Sequence, residues 1–352
     1  MIPPIETYDL APGYRISRVI RGGWQLAGGH GPIEREAAIA GFRLSYQSGI
    51  VAVDCADIYT GVEDLIGAFR AATLADQGPD ALSRLKVHTK FVPDLAVLPV
   101  IDKAYVRSII ERSLRRLRTE RLDLVQFHWW DYDIPGCVET ALWLEELRRE
   151  GKIDLLGGTN FDCAHLDAMI AAGVPLKTMQ VQYSVLDARP AASMAALCAR
   201  LGVGLLCYGS VAGGFLSERW LGLPEPDTRS LENRSLVKYK LIIDDFGGWD
   251  RYQALLSTLD NIAKRRGVSI ATIASRYILE QKAVAAVIVG ARTSDHLQEN
   301  LAIGRIRLSA ADLSEIDRAL SARQGPRGDV YALERDRTSP HGAIMKYNLN
   351  KE

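Results

Sequence analysis

The stretch DKAYVRSIIERSLRRLRTERLDLVQFHWWDYDIPGCVETALWLEELRREGKIDLLGG, residues 102–158, carries the rhythm of the whole chain. From Asp102 to Leu117 the residues Val106, Ile109, Ile110, Ser113, Leu114 and Leu117 recur at helical spacing with arginines on the other face. That pattern predicts an amphipathic helix lying against a core. Leu122 to His128 is a short apolar run of strand length, Gly136 to Glu150 returns to the helical period, and Gly151 supplies a stop before a second strand, Ile153 to Gly158. Helix, strand, helix, strand is the signature of βα units around a parallel sheet.

Outward from this stretch the same alternation continues. Further strands are expected at Ile16 to Gly22, Ile50 to Asp54, Leu85 to Lys90, Thr178 to Tyr183, Val203 to Tyr208 and Val284 to Val289, making eight in all. Glu34 to Ser48, Glu63 to Arg70, Cys163 to Ala172 and Ala191 to Leu201 read as helices between them, with Gly49, Gly173 and Gly202 as stops. Eight strands, each followed by a helix and none joined by a two-residue hairpin, predict a single (β/α)8 TIM barrel domain over residues 1–352. No G-x-G-x-x-G follows the first strand, which argues against a doubly wound dinucleotide fold. A long insertion after strand 7, Gly213 to Gly248, is expected to act as a lid or cofactor strap, because long βα loops sit on the active face of a barrel. Ala311 to Ala322 reads as a last helix. Gly325 to Glu352 reads as irregular, and the C-terminal extension, residues 323–352, is long enough to cover the barrel mouth.

Composition narrows the functional classes. With 43 Lys plus Arg against 43 Asp plus Glu there is no net field to draw nucleic acid or an anionic membrane. The five cysteines, Cys55, Cys137, Cys163, Cys198 and Cys207, show neither a C-x-x-C nor a Cys/His ligand spacing, so reduced packing thiols and no metal are expected. The longest near-apolar run, Ala283 to Ala291, is too short to span a bilayer, and the N-terminus has no signal-like pattern, which together predict a cytoplasmic protein.

The ionisable residues are placed tellingly. Asp54, Lys90 and His128 each close an apolar strand, at the end where a barrel carries its chemistry. Residues two apart share a face of a strand, so all three aim with Ala52, His88 and Gln126 into one mouth. Tyr59 follows Asp54 on the departing loop. Reduction of a carbonyl needs a proton on oxygen, and a phenol with an ordinary pKa near 10 is a reluctant donor. A neighbouring Lys ammonium is expected to lower that pKa, with a carboxylate holding the Lys charged. His128 is expected to hydrogen-bond the carbonyl oxygen or to help relay the proton. Each residue type alone has a common structural use; their joint arrival at successive strand ends is what points to chemistry. His88, Cys55 and Cys207 read as packing.

These residues bring a known family into view. The chain resembles the aldo-keto reductases through V-D-C-A-D-I-Y (Val53 to Tyr59), V-H-T-K-F (Val87 to Phe91), L-V-Q-F-H-W-W-D (Leu124 to Asp131), G-G-T-N-F (Gly157 to Phe161), Q-V-Q-Y (Gln180 to Tyr183) and V-G-A-R-T (Val289 to Thr293) followed by Glu299 and Asn300. The resemblance implies an NADP(H)-dependent oxidoreductase that reduces an aldehyde or ketone, with Tyr59 as general acid supported by Asp54, Lys90 and His128. It also implies that Thr159, Asn160 and Gln182 hold the nicotinamide carboxamide and that Tyr208 stacks on the ring. Ser210 and Gly214 would lie along the pyrophosphate, and Gly290, Arg292, His296, Glu299 and Asn300 at the adenosine end. Trp24 is assigned to cofactor and substrate, and Trp130 to substrate. His296 stands where relatives often carry Arg or Gln, so the preference for NADP over NAD rests on Arg292. Val211 follows Ser210 where Pro and Leu are commoner. Two alternatives share the same residues: an aldose or alcohol dehydrogenase working in the oxidising direction, and a cofactor-binding regulatory subunit of a protein partner.

Overall fold

Eight parallel strands close on themselves in the computed structural model, which describes residues 4–28 and 31–350. The ends of the expected domain, residues 1–3 and 351–352, lie outside the described residues. In chain order the strands are β1 (Thr7–Ala11), β2 (Tyr14–Ser17), β3 (Val19–Gly22), β4 (Ala52–Asp54), β5 (Lys86–Phe91), β6 (Leu122–Phe127), β7 (Ile153–Thr159), β8 (Leu176–Gln182), β9 (Gly204–Tyr208) and β10 (Val284–Gly290). Strands β3 to β10 run round the barrel in sequence, and β10 pairs with β3 to seal it.

The helices around it are α1 (Arg35–Gln47), α2 (Val62–Gln77), α3 (Lys103–Leu117), α4 (Cys137–Arg149), α5 (Cys163–Ala171), α6 (Arg189–Ala192), α7 (Met194–Leu201), α8 (Arg234–Phe246), α9 (Trp249–Arg266), α10 (Ile270–Leu279), α11 (Leu297–Ile303), α12 (Ala310–Leu320), α13 (Ala332–Arg335) and α14 (Pro340–Ala343). Helix α3 shows the rule they follow. The Asp102 carboxylate accepts from the Tyr105 N–H to cap its start, and Val106, Ile109, Ile110, Ser113 and Leu117 are buried. Among the described residues no helix is long and apolar enough to cross a membrane, and no His, Cys, Asp and Glu group is placed to hold a metal.

The first expected strand, Ile16 to Gly22, is in fact two. Tyr14–Ser17 pairs antiparallel with Thr7–Ala11 across Pro12 and Gly13, and only Val19–Gly22 enters the barrel. The break falls at Arg18, whose guanidinium donates to the Leu279, Val284 and Ala285 carbonyls, while the Ser17 hydroxyl donates to the Val19 carbonyl. Leu10, Tyr14 and Ile16 of this hairpin pack with Ile20, Ala52, Leu124 and Leu206, so the floor of the barrel is plugged. The segment expected as one helix from Ala191 breaks at Ser193, and α2 runs on to Gln77. The tail is not irregular throughout: it forms α13 and α14. The insertion after β9 carries α8, capped by Asn233.

Candidate active site at the barrel mouth

Asp54 is the last residue of β4, and its carboxylate is fully engaged. Oδ2 accepts from Lys90 Nζ at 2.7 Å, and Oδ1 accepts from the amides of Gln126 at 3.1 Å and Gln180 at 2.6 Å. Lys90 also donates to the Cys55 carbonyl at 2.8 Å, and its ammonium lies 4.9 Å from the centre of the Tyr59 ring. Burial alone would lower the Lys90 pKa, but Asp54 and Tyr59 reverse this and hold it above its ordinary value. A charged lysine beside a phenol is therefore built in.

The phenol itself departs from expectation. Burial raises the Tyr59 pKa and outweighs the lowering by Lys90, so the net shift is upward. The ring is neutral at ordinary pH, with its proton in hand. Trp24 meets it edge-on at 5.1 Å and is 39% exposed, at the rim.

His128 sits one residue beyond β6, its N–H donating to the Phe91 carbonyl. Nδ1 lies 2.9 Å from the Thr159 carbonyl, which can only accept, so Nδ1 carries a hydrogen. Burial, with the Arg335 charge added, pushes its pKa down to about 3. The neutral ring then presents a lone pair at Nε2, and that atom is buried without a partner among the described residues. His128 is thus set to accept a hydrogen bond, not to donate one. Trp130 stands edge-on to it at 4.3 Å and donates to the Pro93 carbonyl.

Thr159, Asn160, Gln182 and Tyr208 gather beside these groups at the ends of β7, β8 and β9. Asn160 takes a left-handed conformation at φ 62°, and its side-chain oxygen accepts from the Tyr208 hydroxyl at 2.9 Å. Gln182 gives its amide N–H to Asp187 at 2.7 Å, which leaves Oε1 buried and unpartnered among the described residues. Ser210 is buried and shares a hydrogen bond with Ser275 at 2.9 Å. Gly214 has φ 106°, which favours glycine.

The remaining candidates lie past β10. A Cβ on Gly290 would strike the Gln25 side chain, and the Gln25 oxygen accepts from the Arg292 N–H. His296 and Glu299 pair at 3.2 Å on an exposed surface. Asn300 is buried and lines a cavity of about 10 Å³ with Arg21, Ser45 and Thr293, room for a single water. These residues form a second cluster, joined to the mouth by the Trp24–Gln25 turn.

Several mouth residues are given no role by the sequence reading, although it turns Gln126 toward the mouth. Gln126 and Gln180 complete the shell of Asp54; both lie two residues before another site residue on the same strand face, which is the signal that finds them. Tail residues also reach the site. Tyr331 is edge-on to His128, and Arg335 donates to the carbonyls of Trp129, Trp130 and Asn160 while stacking on Tyr132 at 3.8 Å. Lys238 of α8 lies 5.4 Å over the Tyr208 ring. No periodicity marks these three.

Comparison with known proteins adds a family. The model described as "Aldo/keto reductase family" matches residues 18–321. Flagellar radial spoke protein 5 of Chlamydomonas reinhardtii is 30% identical over 258 residues, covering 64% of this chain and 49% of that protein, so the match spans about half of the relative. The aldo-keto reductase YhdN of Bacillus subtilis is 27% identical over 316 residues, 88% of this chain and 91% of its own. Among solved structures, an aldo/keto reductase from Klebsiella pneumoniae in complex with NADP and acetate superposes with a TM-score of 0.67 at 24% identity, covering 90% of this chain and 94% of the other. At that identity the likeness speaks for the fold.

Proposed function

The chain belongs to the aldo/keto reductase family and is an oxidoreductase enzyme, and from that premise we propose that it reduces the carbonyl of an aldehyde or ketone with NADPH, Tyr59 giving the proton. The observation that carries this reading is the buried Asp54–Lys90 pair at 2.7 Å beneath the Tyr59 ring. A nicotinamide held at the mouth would supply a hydride to the carbonyl carbon. The oxygen gathers negative charge as that happens, and it needs a donor in place. Neutral Tyr59 is that donor. As its proton leaves, the phenolate is met by the Lys90 ammonium, which Asp54 holds in place.

His128 acts on the other side of the same oxygen. Its Nε2 accepts from a hydroxyl, so it favours the alcohol once formed, or a hydroxyl next to the carbonyl. Trp24 and Trp130 wall the apolar part of the pocket.

The nicotinamide fits a site in which one buried polar atom lacks a partner among the described residues. The orphaned Gln182 Oε1 suits the N–H of a carboxamide, and Asn160 and Thr159 stand beside it. Tyr208 offers a ring face for stacking. Ser210 and Gly214 follow on the path of the pyrophosphate. Arg292, with Gly290, His296, Glu299 and Asn300 around it, gives the adenosine end a phosphate-binding guanidinium and thereby the preference for NADP over NAD. Helix α8 and the tail from residue 323, as far as the described residues run to 350, cover this mouth within one barrel domain.

A second reading, a cofactor-holding subunit of an assembly, has the radial spoke relative on its side. Fluorescence titration with NADPH and NADH, followed by oxidation of bound cofactor by a panel of aldehydes and ketones, separates the two. Tight binding with turnover is the expected result. Tight binding without turnover of any panel member favours the subunit, and no binding overturns both.

A further inference from the structure

The loop after β8 carries a buried acid, Asp187, that touches two partners at once. Its Oδ2 accepts from the Gln182 amide at 2.7 Å. Its two oxygens also take one edge of the Arg189 guanidinium, Nε at 3.0 Å to Oδ1 and Nη2 at 2.7 Å to Oδ2. The other edge of the same guanidinium meets the tail carboxylate of Glu334, Nη1 at 2.9 Å and Nη2 at 3.1 Å. Lys238 of α8 approaches Glu334 at 3.7 Å. Gln182, Asp187, Arg189 and Glu334 are each no more than 3% exposed.

An unbroken polar chain therefore runs from the tail to the end of β8, with two acids balanced by two bases. Buried ion pairs are a weak source of stability, because desolvation offsets much of the attraction; apolar side chains would seat a tail as well. What a polar chain adds is direction. Asp187 can only accept, so it holds the N–H end of the Gln182 amide and turns Oε1 away. That oxygen is buried without a partner among the described residues, poised for an N–H donor. Arg189 bridges both carboxylates with its planar fork, so loss of Glu334 removes the guanidinium's second anchor and loosens the edge it gives to Asp187, which keeps the Arg189 backbone N–H at 3.2 Å.

We propose that Glu334 is a positioning residue for the nicotinamide: through Arg189 and Asp187 it holds the Gln182 amide with its oxygen toward the carboxamide N–H, so that seating of the tail and reading of the carboxamide are one event. The proposal rests on the reading of Gln182 as a carboxamide ligand. The structural elements it joins, the tail and the end of β8, are 145 residues apart from Arg189 to Glu334.

The test compares two reduced cofactors on the full-length protein: NADPH and its 3-acetylpyridine analogue, whose acetyl group has no N–H to give. Wild type is expected to bind NADPH about tenfold more tightly, the scale of one buried hydrogen bond. In Glu334→Gln, nearly the same shape without the charge, that ratio is expected to shrink severalfold. Arg189→Lys, which keeps the charge but cannot fork two carboxylates, is expected to do the same and serves if the first variant fails to fold, as thermal melting will show. A folded variant that loses equal affinity for both cofactors overturns the proposal, since Glu334 would then only seat the tail. A wild type that does not discriminate overturns the carboxamide role of Gln182 and this proposal with it, while tight binding of both cofactors leaves the reductase reading standing.

Discussion

Tyr331 of the tail stands edge-on to the imidazole of His128 at the barrel mouth, ring centroids 5.6 Å apart and planes 85° from parallel. The tyrosine is 5% exposed and itself left-handed at φ 61°, so it is held against the histidine by the turn it starts. Tyr331→Ala is expected to admit water to His128 and raise its pKa from about 3 toward the ordinary 6.5. A new acidic limb should appear in the pH profile of kcat/KM, which itself falls by roughly tenfold through looser substrate placement. A profile superimposable on wild type would remove the tail from the site.

Tyr59→Phe is expected to cut kcat by roughly 10²–10⁴, the range of a lost general acid, and to change the Kd for NADPH little. In wild type the Tyr59 pKa lies above the ordinary 10, so the proton is present throughout neutral pH. Carbonyl reduction should thus be flat through neutrality and decline only above pH 10. Steady-state rates across pH, with cofactor saturating, check both points.

The Asp54–Lys90 pair is 2.7 Å long with side chains no more than 5% exposed. Removing one partner leaves a buried charge, so Lys90→Met is expected to cost about 3–5 kcal/mol of stability as well as activity. The double variant Lys90→Met/Asp54→Asn should recover much of the stability and none of the activity. Chemical denaturation measures the first quantity and turnover the second.

Burial works to raise the pKa of Glu334, but Lys238 and Arg189 hold it down to about 2 from an ordinary 4.5. A carboxyl depressed on folding contributes stability that is complete above the unfolded value and is lost as pH falls through the folded one. The wild type should therefore lose stability from about pH 4.5 toward 2, and Glu334→Gln should lack that component. Melting temperatures from pH 6 to 3, taken as the difference between the two proteins, report it.

Arg292→Ala is expected to weaken NADPH binding by about tenfold or more while changing NADH binding little, because only the former has a phosphate for the guanidinium. Equal losses in parallel fluorescence titrations would remove Arg292 as the ground for preferring NADP.

Periodic features were the legible ones. The barrel strands and α3 could be read because a period of two or of 3.6 residues is written by burial itself. Asp54, Lys90 and His128 stood out because charge at a strand end is rare in an apolar run. The N-terminal hairpin is hard to read because Thr7–Ala11 is mostly exposed and carries no clear alternation, and because no Gly or Pro separates Tyr14–Ser17 from Val19–Gly22, although Pro12 and Gly13 do mark the hairpin's own turn. The polarity of His128 was equally hidden, since it is decided by the Thr159 carbonyl, 31 residues away. Sequence likewise shows that Lys90 is near Tyr59 but not how dry the phenol is, and dryness decides the sign of its shift. Arg189 and Glu334 carry no local signal at all: their meaning comes from meeting each other.

Arg335 gives its hydrogen bonds to main-chain oxygens of the barrel, those of Trp129, Trp130 and Asn160, and lays its guanidinium on the Tyr132 ring. The hydrogen-bonded part of that clasp does not read side chains. These hydrogen bonds are indifferent to which side chains stand at 129 and 130, and among the tail's ring contacts it is Tyr347 that meets the Trp130 ring, edge-on at 5.2 Å. The roof over this corner of the barrel is thus pinned to the backbone path, and a change of ring at 130 has Tyr347 as its counterpart, so wall and roof are expected to be retuned in pairs.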